Sequence, residues 1–416
     1  MQLRGISEWL RHAPLPGVGG FALLTGIEAI ARGILISVFP LALYQALQDA
    51  ALVSKVYFVV GIVSMVIGLM VPFLTRYVPR RYMYLSGAIM YVAGSGLAVL
   101  GTPVLLVAGL LLNTMAVAVT FVCLNAYVLD YISKLELGRC ESWRMVYAGL
   151  GWTVGPALGV MLYSWWSPAP FLIAGAAAVC LMAVFLYLRL GNGRLIVKAR
   201  RPAPNPLAYL PRFARQPRLV AGWIFAVIRS CGWWVYVVYL PIFAIEQGLG
   251  DQLGGIALSI SNGMLFLAPL MLRWIQRRSI RTAVRTGFAG AALLFVGASL
   301  AAEAPLVAVA LLMGATVFLV LLDVCGGLPF LMAVKPSERT EMSAIYASYR
   351  DVSGILTPGG AWLVLLVAPV GWVFLPMGFA LGLAWALAGR LHRRLGQVRD
   401  VGAEQQANRA DLSELA

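Results

Sequence analysis

Apolar runs of bilayer-spanning length follow one another along the chain, broken by short polar or Pro/Gly punctuation. A helix needs about 20 apolar residues to cross a hydrocarbon core. Six stretches in the first half reach that length, at about 18–46, 52–74, 82–100, 103–131, 143–164 and 168–189. Six more follow at about 218–245, 252–273, 282–302, 304–331, 342–367 and 371–390. The pattern predicts an all-α integral membrane protein with twelve transmembrane helices, called spans 1 to 12 here.

The two sets of six echo each other. Residues 71–81 read Val-Pro-Phe-Leu-Thr-Arg-Tyr-Val-Pro-Arg-Arg, and residues 268–278 read Ala-Pro-Leu-Met-Leu-Arg-Trp-Ile-Gln-Arg-Arg. Pro72 and Pro269, Arg76 and Arg273, Arg80 and Arg277, and Arg81 and Arg278 align at an offset of 197. Pro40 with Pro241, Tyr147-Ala148 with Tyr346-Ala347, and Arg139-x-Glu141 with Arg339-x-Glu341 fall at nearly the same offset. One unit is therefore built twice, giving two pseudo-symmetric six-helix bundles at 1–190 and 218–392. A basic cytoplasmic linker at 191–217 joins them, and a polar tail follows at 393–416. Internal repeats in a long apolar chain are the plan of secondary transporters, whose solute site lies between the repeats near the bilayer midplane.

Composition agrees with lipid as the solvent. Hydrophobic residues make up 61% and charged residues 12%, about half the charged share of a soluble domain. The net charge of +15 is placed for topology and not for nucleic acid. Apart from Arg32, Lys55, Arg229 and Arg350, the 32 Lys and Arg fall in the tails or in alternate connections, counting the adjoining helix ends. The opposite connections carry Asp49, Glu246, Asp251 and Glu303. The positive-inside rule then puts both termini in the cytoplasm, in a bacterial inner membrane. The segment Met1–Leu10 holds charges and no apolar run, so no cleavable signal is expected. Cys123, Cys140, Cys180, Cys231 and Cys325 have no metal-ligand spacing, and neither a metal nor another cofactor is expected. His12 and His392 lie in the tails, and no nucleophile–base pair or nucleotide motif is visible, which argues against an enzyme.

Charges inside the predicted spans are few. Glu28 and Arg32 lie in span 1, Arg229 in span 7, Asp323 in span 10, and Arg350 and Asp351 in span 11. Insertion of such a charge costs at least about 2.5 kcal/mol, so these side chains face a bundle interior or a wet cavity.

With these features the chain resembles the major facilitator superfamily over about residues 15–392. In that family helices 1, 4, 7 and 10 line the cavity and 2, 5, 8 and 11 flank it, which matches the spans that carry buried charge. Span 5 holds Gly151-x-x-x-Gly155-Pro156-x-x-Gly159, similar to the motif of family exporters, and span 11 holds Gly354-x-x-x-Pro358-Gly359-Gly360. The connection with Arg76, Arg80 and Arg81 resembles the family's gating motif, with Thr75 where an aspartate is usual. Asp130 is expected to partner Arg76 or Arg80 when the cytoplasmic side closes. The arginine that drug/proton antiporters often carry in helix 4 is absent.

Glu28 and Arg32 share one helix face. The alignment of Pro40 with Pro241 sets Glu28 opposite Arg229, and the two are expected to pair across the cavity in at least one state. Desolvation there favours the protonated form of a carboxylate and a nearby arginine favours the charged form. Glu28 is thus the expected proton carrier, with Asp323 and Asp351 in reserve. Arg32, Arg229 and Arg350 offer planar forks for an anionic solute. Trp152, Trp233, Trp234 and Tyr236 suit its apolar part. The expected function is alternating-access transport of a small amphipathic or anionic solute by a monomer, as proton-coupled export. Organic-anion uptake or exchange, and a non-transporting assembly factor, stay open.

Overall fold

The computed structural model describes residues 17–75, 77–132, 136–188, 209–334, 342 and 345–392. Most of the predicted linker, both tails, Arg76, Arg339 and Glu341 lie outside them. The first six helices are α1 (Val18–Leu47), α2 (Ala50–Leu74), α3 (Arg80–Val99), α4 (Pro103–Tyr131), α5 (Leu137–Trp165) and α6 (Ala169–Tyr187). A short α7 (Leu210–Ala214) precedes α8 (Pro217–Glu246). There follow α9 (Leu253–Gly263), α10 (Ala268–Arg277), α11 (Ile280–Leu300), α12 (Pro305–Cys325), α13 (Leu328–Ala333), α14 (Tyr349–Leu365) and α15 (Phe374–Ala388). No strand occurs among the described residues. A helix bonds its own backbone, which is what a chain in hydrocarbon requires.

Among the described residues, eleven helical segments are long and apolar enough to cross a bilayer. α14, with 17 residues, is shorter than these and covers the inner part of predicted span 11. Predicted span 8 is broken, because a 3-10 turn at Met264–Leu267 joins α9 to α10. Predicted span 10 stops at Cys325, where Gly326 and Gly327 end the helix before α13. Polar caps mark other boundaries. The Asp49 carboxylate accepts the N–H groups of Ala51 and Leu52 at 2.8 and 3.2 Å, and the Ser279 hydroxyl accepts that of Thr282 at 3.1 Å. Side-chain oxygens at N-caps satisfy donors that the helix cannot.

α1 is the most buried of the spans and packs along α5. Glycine permits the approach. A Cβ on Gly155 would lie 2.5 Å from the carbonyl carbon and 2.9 Å from the Cα of Gly33. One on Gly151 would lie 2.8 Å from the carbonyl of Ala29. Small residues at a helix crossing let the backbones themselves touch, which gains dispersion where lipid offers no hydrophobic drive.

The N-terminal helices meet the C-terminal ones mainly through α5 on α9 and α2 on α14. Both contacts are built on a proline. Pro156 has no N–H, so the Trp152 carbonyl one turn earlier loses its usual partner. Asn262 of α9 donates its side-chain amide to that carbonyl at 2.8 Å. Ser259, on the same face of α9, accepts the N–H of Ala157 at 2.8 Å. In α14, Pro358 likewise frees the Gly354 carbonyl, and Gly61 of α2 packs so closely on it that a Cβ would lie 2.6 Å away.

Further contacts close one end of the molecule. Tyr44 donates to Glu246 at 3.1 Å and Gln45 to Asp251 at 2.7 Å. Deeper in, Tyr239 donates to Ser54 at 2.9 Å. Among the described residues, hydrogen bonds between the two sequence halves run from this end to the level of Trp152 and Asn262. A Gln45→Cys, Asp251→Cys pair, made with the exposed Cys180 changed to Ser, should cross-link under oxidant and arrest transport until reduced. Free transport by the oxidised, cross-linked protein would mean that this end does not open during turnover.

Candidate functional site

Four of the six charges that the sequence placed inside the spans resolve into two pairs, one in each half. In the N-terminal half a guanidinium nitrogen of Arg32 lies 3.7 Å from a carboxylate oxygen of Glu28, one turn away on α1. In the C-terminal half Nε of Arg229 on α8 lies 3.2 Å from Oδ1 of Asp323 on α12. Glu28 and Arg229 do not meet in the state seen here, and each residue pairs within its own half. The reason is geometric. Arg32 is one turn from Glu28 on the same helix, and an i, i+4 partner is always within reach.

The two pairs face opposite ways. The Glu28 side chain is 6% exposed and Arg32 is 32% exposed. Arg229 is 11% exposed and Asp323 is 31% exposed. One wall thus shows a cation backed by a buried acid, and the other shows an acid backed by a buried cation.

Helix packing sets these exposures. Glu28 points between α3 and α4, where the Tyr91 hydroxyl donates to it at 3.4 Å and that of Thr120 at 3.3 Å. Both bonds are long, and Thr120 also donates to the Ala116 carbonyl at 2.8 Å. Arg32, one turn on, lies with its guanidinium 5.0 Å from the ring centre of Trp152. Cation–π stacking fixes the plane of the fork without occupying its N–H groups. Arg229 lies 5.4 Å above the ring of Tyr349 on α14. Asp323 also accepts Nε1–H of Trp233 at 2.9 Å.

Contacts across the centre link the pairs. Phe121, next to Thr120 on α4, lies 5.1 Å under the guanidinium of Arg350 from α14. Arg350 donates through Nε to the Tyr349 hydroxyl at 3.2 Å, and Tyr349 lies under Arg229. A line of neighbours therefore runs from Glu28 through Thr120, Phe121, Arg350, Tyr349 and Arg229 to Asp323.

Other expected residues fall elsewhere. Tyr236 is fully buried and bonded to Ser261 at 2.8 Å, inside a polar cluster with Thr316. It is absent from the exposed wall. Trp234 fills the seam between halves, edge-on to Tyr57 of α2 with ring centres 6.4 Å apart. Asp351 is half-buried and has no hydrogen bond or ion pair among the described residues. Asp130 pairs with Arg80, which also lies 5.4 Å from the Tyr127 ring. Both partners belong to the N-terminal half, so this pair braces α3 on α4 and does not itself bridge the halves. Gly151, Gly155 and Gly159 serve the α1 seam. Arg76 lies outside the described residues.

Sequence reading missed Arg144. Its buried guanidinium donates to Thr25 at 2.9 Å, Glu141 at 2.6 Å and Asn125 at 2.9 Å, tying α1, α4 and α5 together. The signal was an arginine one step inside span 5, which loop-charge counting absorbed.

A family model described as the Major Facilitator Superfamily matches residues 21–358. No curated protein matches the chain by sequence. Among solved structures, a mutant of the nucleoside transporter NupG superposes with a TM-score of 0.73 at 15% identity, over 90% of this chain and 100% of that one. A POT family transporter in complex with a thioalcohol-conjugated peptide superposes with a TM-score of 0.71 at 11% identity, over 89% of this chain and 94% of that one.

Proposed function

Because the chain belongs to the Major Facilitator Superfamily, and is a multi-pass membrane transporter and not an enzyme, we propose that it carries a small organic solute with an anionic end, coupled to protons. Twelve spans in two pseudo-symmetric halves, with both termini in the cytoplasm of a bacterial inner membrane, frame this reading. In that orientation the Tyr44–Glu246 end is the outer one, and the molecule faces inward. The monomer is the working unit. The nucleoside and peptide transporters of similar fold handle polar organic solutes, which is compatible with this class.

The observation that carries the proposal is the Glu28–Arg32 pair, with its acid buried and its cation exposed. A proton on Glu28 cancels the charge that holds Arg32, and the fork is then free for a solute oxyanion. An oxyanion on Arg32 takes the counter-ion of Glu28, so a proton that enters with the solute keeps the charges of the site balanced. Proton and solute therefore bind together, and an inward proton gradient drives solute in. Export is the second reading, favoured by the Gly151–Gly159 motif, and it requires proton and solute to exclude each other.

Proteoliposomes loaded with a pH dye and challenged with organic acids separate the two. Co-entry acidifies the lumen as solute enters, and exchange makes it alkaline. Arg32→Lys should lower affinity by about tenfold or more, near 1.4 kcal/mol, because an ammonium lacks the bidentate fork. Unchanged affinity in Arg32→Lys, or solute flux with no lumenal pH change, would remove this mechanism.

A further inference from the structure

We propose that the solute is a zwitterion, bound with its oxyanion on Arg32 and its ammonium on Asp323. This rests on the transport reading above and adds the charge pattern of the substrate.

The reversed polarity of the two pairs is the starting point. Each pair offers one exposed charge, and the two are opposite in sign. Each also has unused bonding capacity. A guanidinium carries five N–H donors. Arg32 makes no hydrogen bond among the described residues, since Glu28 at 3.7 Å is beyond hydrogen-bond range. Trp152 holds its plane and takes no donor. A carboxylate has about four acceptor positions. Asp323 engages Trp233 through one oxygen at 2.9 Å and faces Arg229 with the other at 3.2 Å. The remaining positions are open on its exposed side.

Singly charged solutes fit this space poorly. A bare anion on Arg32 shares the cavity with the exposed Asp323 carboxylate and leaves that carboxylate unmatched. A bare cation on Asp323 meets Arg32 and also Arg350, a second exposed arginine, which is stacked on Phe121. A dipole with ammonium toward α12 and oxyanion toward α1 satisfies both walls. Trp152 and Trp233, one beside each charge, provide apolar surface for the body between them.

The test uses two matched sets of probes on the purified full-length protein. One is phenylalanine, N-acetylphenylalanine and phenylalanine methyl ester. The other is 5-aminovaleric acid, its N-acetyl derivative and its methyl ester. Thermal unfolding is followed against ligand concentration. At least one zwitterion should stabilise the protein, with its two singly charged derivatives at least about tenfold weaker. In Asp323→Asn the N-acetyl compound should gain on its parent, and in Arg32→Gln the ester should gain. Asp323→Glu, which keeps the charge, should retain the wild-type order and serves if the asparagine variant does not fold. Equal stabilisation by an anion-only derivative overturns the proposal, as does the absence of stabilisation by either zwitterion. Binding with this charge preference but no proton-linked flux would leave the zwitterion site standing and overturn the transport mechanism. Proton-linked flux of simple anions would do the reverse.

Discussion

Glu28→Gln should abolish proton-driven accumulation, down to the level of protein-free vesicles, while solute exchange without a gradient persists. Glutamine keeps the size of the side chain and can still meet Tyr91 and Thr120. It cannot alternate between charged and neutral forms. Arg32 would then be free in every state, so solute binding survives or tightens while the link to protons is gone. Counterflow measured beside acid-outside-driven uptake separates the two properties. Driven accumulation at the wild-type level would exclude Glu28 as the carrier and move the search to Asp323, the partly exposed acid of the other pair.

The second large effect concerns folding. Gly155→Leu places a side chain where Gly33 backbone atoms already stand at 2.5 and 2.9 Å from the Cβ position. Overpacked cores usually lose about 1–3 kcal/mol, because neighbouring side chains shift. Here the neighbour is backbone in the most buried helix, and no rotamer change relieves the clash. The loss should reach or exceed the upper end of that range, with a lower melting temperature in detergent and a poor monodisperse yield. Gly19, whose Cβ position is open, is the control and should tolerate alanine. Normal yield and melting of Gly155→Leu would mean that α1 and α5 are not held together by this seam.

Much of the helix plan was readable because periodic apolar length is a local property. Predicted spans at 18–46, 103–131 and 218–245 match α1, α4 and α8 within a residue. The 3-10 turn at Met264–Leu267 was not readable. Its residues are as apolar as their neighbours, so the hydrophobic pattern runs through the break. The charges inside the spans were legible as a group, and in the structure Glu28 lies by Arg32 and Arg229 by Asp323. Their partners were not legible. Register alignment finds equivalent positions, but contact depends on which face each helix turns inward, and that is fixed by tertiary packing. Tyr236 shows the same limit. An aromatic on span 7 reads equally well as cavity wall or as core, and its bond to Ser261 decides for the core.

A proline inside a helix is usually treated as a place where that helix bends. In this protein its missing N–H also acts on a different helix. The Trp152 carbonyl has its amide donor in Asn262, which belongs to the opposite repeat. If the two sequence halves part at that level, as the proposed transport requires, the donor leaves, and a buried acceptor without a partner costs about 1–3 kcal/mol unless water replaces it. That corresponds to roughly a fivefold to hundredfold preference for the present arrangement. Dwell time in one state of the cycle is therefore adjustable at a single amide, on a helix that neither carries the proline nor contributes a charge to the central space.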